Sequence, residues 1–259
     1  KTAIVLGVTG QDGSFMAKLL LKKNYLVHGL IRKSATGNLR NISDIINNKK
    51  FIVHHGDLLD FTSIINVISK IKPDEIYNFA DQDHVGWSFE LPSYSFAVTG
   101  SSVINLLETI KQYSHKSKYF QPLTSNMFGK TTISPQNENT PFNPQNPYAC
   151  AKTFAYNLSK MYRDVYSMYV SIGIFYNHES PRRTDEYVTR KITKAAARIK
   201  LGKQNKIILG NINAIIDWGF ARDYMEAAWE IMQLNKPDTF VIGSGEAHSV
   251  KDFLELAFN

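Results

Sequence analysis

A loop with glycines at positions 7, 10 and 13 constrains the fold of this chain more than any other feature. The loop follows an apolar run at 3–6 and precedes a stretch with helical spacing. Gly7 permits a tight turn, Gly10 lets a pyrophosphate approach the backbone, and Gly13 lets the helix pack closely on the strand. With a second apolar run at 25–31, the pattern predicts a strand–helix–strand unit that binds a dinucleotide at the helix N-terminus. The residues predicted to hold that dinucleotide are Gly7, Thr9, Gly10, Gln11, Asp12 and Gly13.

Strand and helix patterns continue to alternate as far as residue 175. The sequence predicts four more strands, at 51–58, 75–80, 118–123 and 170–175, and three more helices, at 61–71, 92–113 and 148–166. This alternation predicts an α/β fold, a Rossmann-type doubly wound parallel sheet with right-handed crossovers. Because the pattern changes after Tyr176, we predict two domains, a dinucleotide-binding Rossmann domain at 1–175 and a smaller C-terminal substrate lobe at 176–259.

The segment after the second strand bears on which dinucleotide binds. An acidic residue about 20 positions after the glycines would hold the ribose 2′-hydroxyl of NAD. Arg32 and Lys33 stand there instead, so we predict NADP rather than NAD, with Arg32 and Arg40 clamping its 2′-phosphate. The alternative is that these cations are solvated loop charges. Asp57, which follows the third apolar run, is placed to contact the adenine.

Tyr148 and Lys152 are the candidate catalytic pair. Their spacing of four places phenol and amine on one face of a helix, one turn apart. A phenol with a pKa of about 10 is a poor base at neutral pH, but a nearby ammonium stabilises the phenolate. Thr124, at the end of the strand that begins at Lys118, can bring a hydroxyl to the same place. The three groups together predict the proton chemistry of a nicotinamide-dependent alcohol oxidation.

Composition narrows the class of protein. Of the 259 residues, 43% are hydrophobic, which suffices for a large core, and no apolar run approaches the roughly 20 residues of a membrane span. We therefore predict a cytoplasmic protein with no membrane contact. The formal charge of +7 suits a polyanionic partner, but the cations are scattered, which disfavours nucleic acid. Cys150 is the only cysteine, so a disulfide framework and a cysteine zinc site are excluded, and no metal is predicted.

These stretches together resemble the GDP-mannose 4,6-dehydratase family of extended short-chain dehydrogenases/reductases. The likeness covers nearly the whole chain and includes GVTGQDGSF at 7–15, PDEIYNFADQDHV at 73–85, NPYACAK at 146–152 and FYNHESPRR at 175–183. The last segment implies a GDP-sugar rather than a UDP-sugar. The resemblance also implies NADP and a homodimer or homotetramer. It further implies that the cofactor contacts Leu58, Phe79, Ala80, Tyr148, Lys152, His178 and Arg183, and the substrate Asn177, Val188, Lys191 and Arg222.

The resemblance implies a 4,6-dehydration of the sugar. Tyr148 takes the proton of the C4 hydroxyl while hydride leaves C4, Lys152 holds the phenolate, and Thr124 hydrogen-bonds the carbonyl oxygen. The 4-ketone acidifies the C5 hydrogen, water leaves from C6, and the hydride returns to C6, so the cofactor is regenerated. Two alternatives remain open: a GDP-sugar 4-dehydrogenase or epimerase without dehydration, and a non-catalytic nucleotide-binding protein.

Three features depart from the family pattern. Asn126 stands where the family carries the glutamate that removes the C5 proton, and a neutral amide is not a base. Ile216 stands where the family has an arginine, which removes a phosphate contact. Asp81 and Asp83 replace a family alanine and serine, so our hypothesis is that one of them, or Glu179, takes over as the base. The resemblance also leads us to expect a C-terminal lobe shorter than that of the family.

Overall fold

A parallel sheet of seven strands runs through the middle of the structure, a computed structural model that describes residues 1–35 and 37–259. The described strands are β1 (Thr2–Leu6), β2 (Leu26–Ile31), β3 (Phe51–His55), β4 (Glu75–Asn78), β5 (Lys118–Thr124), β6 (Val170–Phe175), β7 (Asn177–Glu179), β8 (Ile215–Phe220), β9 (Thr239–Ile242) and β10 (Ala247–Ser249). The order across the large sheet is β3-β2-β1-β4-β5-β6-β9, with every pair parallel. The strand order reverses between β1 and β4, where sheets of this kind open a crevice at the carboxyl ends of the strands. The predicted doubly wound parallel sheet is confirmed.

Helices cover both faces of this sheet. The described helices are α1 (Gln11–Lys22), α2 (Phe61–Ile71), α3 (Val85–Glu90), α4 (Pro92–Phe96), α5 (Ser102–Tyr113), α6 (Pro147–Tyr166), α7 (Val188–Lys200), α8 (Ala221–Gln233) and α9 (Val250–Phe258). Alternate residues of β1 point to opposite faces because side chains alternate along a strand. Ile4 and Leu6 pack in the core beneath α2, α5 and α6, whereas Ala3 and Val5 pack beneath α1 and α8. A strand buried on both faces must be apolar throughout, as this one is.

The helix predicted over 92–113 is interrupted. After α4 the chain makes one π-helical turn at Ala97–Ser101 before α5 begins. Gly100 lies against α6 there, and a Cβ atom on it would be 3.3 Å from the carbonyl oxygen of Ala151. Turns of this type often mark functional places. Here the turn carries the Thr99 hydroxyl to the carboxylate of Asp81, which follows β4.

The chain after residue 175 contributes to two sheets. β8 pairs with β7 in parallel and with β10 antiparallel, which makes a small three-stranded sheet next to α7 and α9. β9 extends the large sheet beyond β6, and α8 packs against α1. The division into domains at 1–175 and 176–259 stays a prediction. Within the described part of the chain, no helix is long and apolar enough to cross a membrane.

Candidate active site

A cleft of about 890 Å³ opens at the carboxyl ends of β4, β5 and β6. It is lined by the glycine loop, the ends of β4 and β5, the start of α6, and residues of β7 and β8. The large sheet and two strands of the small sheet therefore meet at the crevice that the strand order predicts. The cleft brings together the catalytic candidates Thr124, Asn126, Tyr148 and Lys152.

The glycine loop has the shape that a dinucleotide diphosphate requires. Gly7 has φ +70°, a region that side chains disfavour, and a Cβ atom on it would lie 2.5 Å from the carbonyl oxygen of Phe79. A Cβ atom on Gly13 would lie 2.3 Å from the carbonyl oxygen of Gly7. Gly10 is the N-cap of α1 and provides no side-chain cap, so the first N–H groups of the helix are left to bind an anion. These residues fit the diphosphate of a nicotinamide dinucleotide.

Tyr148 and Lys152 lie in the first two turns of α6. The helix begins at Pro147, and the side chain of Asn146 accepts a hydrogen bond of 2.8 Å from the backbone N–H of Ala149. The Lys152 ammonium lies 5.6 Å from the centre of the Tyr148 ring. It donates to the carbonyl oxygen of Pro122 at 3.0 Å and pairs with the carboxylate of Asp81 at 2.5 Å. The predicted helical neighbours therefore do share one site, together with a carboxylate.

The pKa of Tyr148 is raised well above its ordinary value. Burial is the largest cause, followed by the negative charges of Asp81 and Asp83, while Arg183 acts in the opposite direction. The sequence led us to expect an ammonium that favours the phenolate. The structure adds carboxylates that oppose it.

His178 is held as an imidazolium by acceptors on both ring nitrogens. Its Nδ1 donates to the carbonyl oxygen of Tyr176 at 2.8 Å, and its Nε2 lies 2.9 Å from the carboxylate of Asp12. Burial lowers the pKa of His178, but Asp12 and the Tyr176 carbonyl raise it by more, so the net shift is upward. Burial raises the pKa of Asp12, but His178 and Arg183 lower it by more. This pair ties the glycine loop to β7.

Arg183 is enclosed by groups that match its charge. Its Nη1 donates to the Asp83 carboxylate at 3.3 Å, and its Nε lies 3.5 Å from the Glu179 carboxylate. Its Cζ lies 3.4 Å from the centre of the Tyr187 ring. Arg182 points elsewhere, since it donates to the Ser14 hydroxyl at 2.7 Å.

The family model for GDP-mannose 4,6-dehydratase matches residues 4–259. The chain belongs to the GDP-mannose 4,6-dehydratase family. A relative from Arabidopsis thaliana, GDP-mannose 4,6 dehydratase 1, is 46% identical over 100% of this chain and 74% of its own. The GDP-mannose 4,6-dehydratase of Yersinia enterocolitica is 42% identical over 99% of this chain and 71% of its own. These identities confirm the resemblance drawn from the motifs.

Solved structures confirm the fold more broadly. A dTDP-glucose 4,6-dehydratase of Streptomyces venezuelae, solved with NAD, aligns with a TM-score of 0.88 at 19% identity, covering 99% of this chain and 80% of that one. A UDP-glucose 4-epimerase of Thermotoga maritima aligns with a TM-score of 0.88 at 21% identity, covering 99% of this chain and 81% of that one. Dehydratases and epimerases thus share the fold, and the fold alone does not separate them.

Not every residue predicted to bind the cofactor lines the cleft. Those that do so are Gly10, Gln11, Asp12, Phe79, Tyr148, Lys152, His178 and Arg183. The others, Gly7, Thr9, Gly13, Arg32, Asp57, Leu58 and Ala80, shape the loop or lie beyond the cleft. Arg32 is exposed after β2 and donates to the Tyr94 hydroxyl at 3.1 Å. Asp57 accepts from the backbone N–H of Leu59 at 2.9 Å, so its carboxylate closes its own turn.

The substrate residues that the family pattern assigns divide into two groups. Asn177 and Val188 line the cleft. Lys191 is exposed on α7 and lines a separate pocket of about 350 Å³ together with Lys194 and other cations. Arg222 is exposed at the start of α8 and lines neither pocket.

The positions that depart from the family pattern all face the cleft. Asn126 donates its Nδ2 to the Thr124 hydroxyl at 3.0 Å, and Ile216 presents an apolar side chain. Asp81 and Asp83 line the cleft, whereas Glu179 accepts from the Thr189 hydroxyl outside it. At these positions the cleft therefore presents a neutral amide, an apolar side chain and two carboxylates.

Two further residues at the cleft were not singled out from the sequence. Tyr187, the N-cap of α7, stacks on Arg183, and only its place beside a basic helix hinted at a role. His84 accepts from the backbone N–H of Trp87 at 3.1 Å and so caps α3. The rings of His84 and Trp87 lie 4.9 Å apart, and Trp87 is half exposed. His84 belongs to the polar loop after β4, which was the available signal.

Proposed function

We propose that this protein is a GDP-sugar 4,6-dehydratase that uses NADP and converts GDP-mannose, or a related GDP-hexose or GDP-heptose, into the 4-keto-6-deoxy sugar. The observation that carries the proposal is the meeting of Thr124, Tyr148 and Lys152 beside the glycine loop, in a chain of this family. The relatives at 42–46% identity are dehydratases by name, and the epimerases share only the fold, so dehydration is favoured over epimerisation.

The first step oxidises the sugar at C4. A bound nicotinamide supplies the redox chemistry, since it can take a hydride from C4 and return it at C6. Tyr148, as phenolate, accepts the proton of the C4 hydroxyl. Thr124 accepts hydrogen bonds from the backbone N–H and the Nδ2 of Asn126, so its own hydrogen remains free to bond the oxygen at C4. Lys152 keeps one N–H beyond those given to Pro122 and Asp81, and that donor can reach the phenolate or the cofactor ribose.

The second step removes the C5 proton, for which we assign Asp83. Its carboxylate lines the cleft, is half exposed, and accepts a hydrogen bond of 3.3 Å from Arg183. Asp81 is less available to the substrate because three donors already occupy its carboxylate: Thr99, Lys152 and the backbone N–H of Gln82. The C5 proton passes to Asp83, which gives it to the departing C6 hydroxyl so that water leaves. The product is complete when C6 gains the hydride that left C4 and C5 gains a proton from solvent.

The ligands are held by residues on both sides of the cleft. The glycine loop binds the dinucleotide diphosphate, and Arg32 binds the 2′-phosphate that distinguishes NADP. Asn177 contacts the GDP-sugar from β7. Val188 and Lys191 lie three residues apart on one face of α7, and we assign them contacts with the nucleotide part of the GDP-sugar.

The proposal includes a homodimer or homotetramer. Exposed apolar side chains support it, because Trp87 and Phe89 on α3, Phe96 on α4 and Val165 on α6 are 42–66% exposed. Elements α3 and α4 both pack against α6, so these side chains lie on adjoining surfaces. Light scattering on the purified protein gives the mass directly.

The test is incubation with GDP-mannose and either NADP or NAD, with UDP-glucose as the matched control substrate. We expect a GDP-sugar lighter by one water, no accumulated reduced nicotinamide, and a preference for NADP that Arg32→Asp reverses. In D₂O the product should carry one deuterium at C5. Reduced nicotinamide without loss of water would instead identify a 4-oxidising enzyme.

Asp83→Asn tests the assigned base. The variant should still form reduced nicotinamide and the 4-ketone but lose the dehydrated product, because C4 oxidation does not require that carboxylate. Asp164→Asn, at an exposed acid near the far end of α6, is the control of equal charge change. Dehydration by Asp83→Asn at the unchanged rate would mean that another group removes the C5 proton.

A further inference from the structure

Asp81 is held more firmly than any other acid facing the catalytic pair. Its carboxylate accepts from the Thr99 hydroxyl, from the backbone N–H of Gln82 at 2.8 Å, and from the Lys152 ammonium at 2.5 Å. The Asp81 side chain is 15% exposed and that of Lys152 is 5% exposed. Three donors converge on this carboxylate, so it is held in one position beside the ammonium of Lys152.

The Asp81 carboxylate pairs with the Lys152 ammonium, the cation that stabilises the Tyr148 phenolate. An ammonium has three N–H groups, and Lys152 gives one to Pro122 and one to Asp81. Because both side chains are largely buried, the carboxylate offsets much of the electrostatic field that the ammonium exerts on the phenol. The π-helical turn is part of this arrangement, since it brings Thr99 to the other side of the carboxylate.

We propose that Asp81 is a positioning residue for Lys152, which divides the ammonium charge between the carboxylate and the Tyr148 phenol and so moves C4 oxidation to higher pH. The inference deepens the proposed function and rests on it for the role of Tyr148. Asp81 touches neither substrate nor cofactor in this role, because it acts through the lysine.

The other charged and titratable groups near Tyr148 have been taken into account. The loop after β4 presents Asp83, and the segment between β7 and α7 presents Arg183 and Tyr187. Asp83 opposes the phenolate less than Asp81 does, and Arg183, which favours it, is already paired with Asp83 and Glu179. Besides burial, Asp81 is thus the largest opposing influence on the phenol.

The test is the pH dependence of kcat/KM for Asp81→Asn, whose side chain keeps the shape of the carboxylate. We expect the acid limb of the kcat/KM profile to move to lower pH by about one unit, since removing a nearby like charge shifts a titration by that order. Turnover at a pH below both limbs should rise about tenfold. Asp164→Asn should leave the limb in place. An acid limb that does not move in Asp81→Asn, or that moves to higher pH, overturns the inference.

A second variant and a second measurement decide the question if Asp81→Asn does not fold or is inactive. Asp81→Ala, the residue that the family pattern carries, should shift the limb in the same direction. The ionisation of the Tyr148 phenol can also be followed without turnover, by tyrosinate absorbance of each protein minus that of its Tyr148→Phe form. The phenol should ionise at lower pH when Asp81 is neutral, and equal or higher ionisation pH refutes the proposal. If GDP-sugars give neither product nor reduced nicotinamide, the proposed function fails, while the titration still decides the role of Asp81.

Discussion

Replacing Tyr148 by phenylalanine should separate catalysis from stability. The ring is 6% exposed and packs at the start of α6, but its hydroxyl makes no hydrogen bond to any residue in the described part of the chain. Tyr148→Phe therefore keeps the packing and removes only an oxygen. We expect the free energy of unfolding to change by less than about 0.5 kcal/mol, and the melting temperature by less than about 2 °C.

The same change should nearly abolish turnover. General base catalysis contributes roughly 10²- to 10⁴-fold, which is about 3–5 kcal/mol of the barrier to C4 oxidation. The assay is single-turnover formation of reduced nicotinamide with GDP-mannose, combined with thermal unfolding of the same preparations. Tyr166→Phe, an exposed position on the same helix, is the matched control and should keep full activity. A Tyr148→Phe variant with more than about a tenth of wild-type turnover contradicts the assignment of the base.

Three further perturbations have definite expected results. Gly13→Ala should weaken binding of the nicotinamide dinucleotide by about tenfold or more in calorimetry, because the new Cβ atom would lie 2.3 Å from a backbone oxygen. Lys152→Met should cost up to about 3 kcal/mol in denaturant unfolding, since it removes the cation from a carboxylate that is only 15% exposed, and adding Asp81→Asn should restore part of that loss. His178→Gln should destabilise most between about pH 4 and 6.5. Because the pKa of His178 is raised, its contacts stabilise the fold fully below about pH 6.5, and this stabilisation is lost as pH rises through the raised pKa. Because the pKa of Asp12 is lowered, its contacts stabilise the fold above about pH 3.8, and this stabilisation is lost as pH falls through the lowered pKa. A destabilisation by His178→Gln that grows above pH 8 would contradict the ion pair.

The features that the sequence predicted correctly are local ones. The spacing of glycines 7, 10 and 13 is a property of one turn, and the spacing of Tyr148 and Lys152 is a property of one helix. Thr124 was placed because a parallel strand delivers its last residue to the carboxyl edge of the sheet, where it is found. The doubly wound parallel sheet follows from the alternation of apolar runs and amphipathic helices, but β9, its seventh strand, was not predicted.

What the sequence could not supply are contacts between distant segments. The pairing of Asp81 with Lys152 joins residues 71 positions apart, and the π-helical turn at Ala97–Ser101 depends on Gly100 meeting α6. No periodicity carries either fact. The exposure of Lys191 and Arg222 outside the cleft likewise depends on how the small sheet sits, which the resemblance could not specify. The roles predicted for these residues stay predictions.

The contact between Trp87 and His84 gives this protein its own optical signal. A reaction that returns its hydride leaves no lasting change in nicotinamide absorbance, so catalysis in this cleft is silent to the usual spectrophotometer. Trp87 is half exposed and its ring lies 4.9 Å from that of His84, which lines the cleft. Trp229 contacts Lys23 and Trp218 contacts Phe253, and neither of these two tryptophans lines the cleft. A nucleotide that enters beside His84 changes the surroundings of one indole, and intrinsic fluorescence can therefore time the arrival and departure of the sugar.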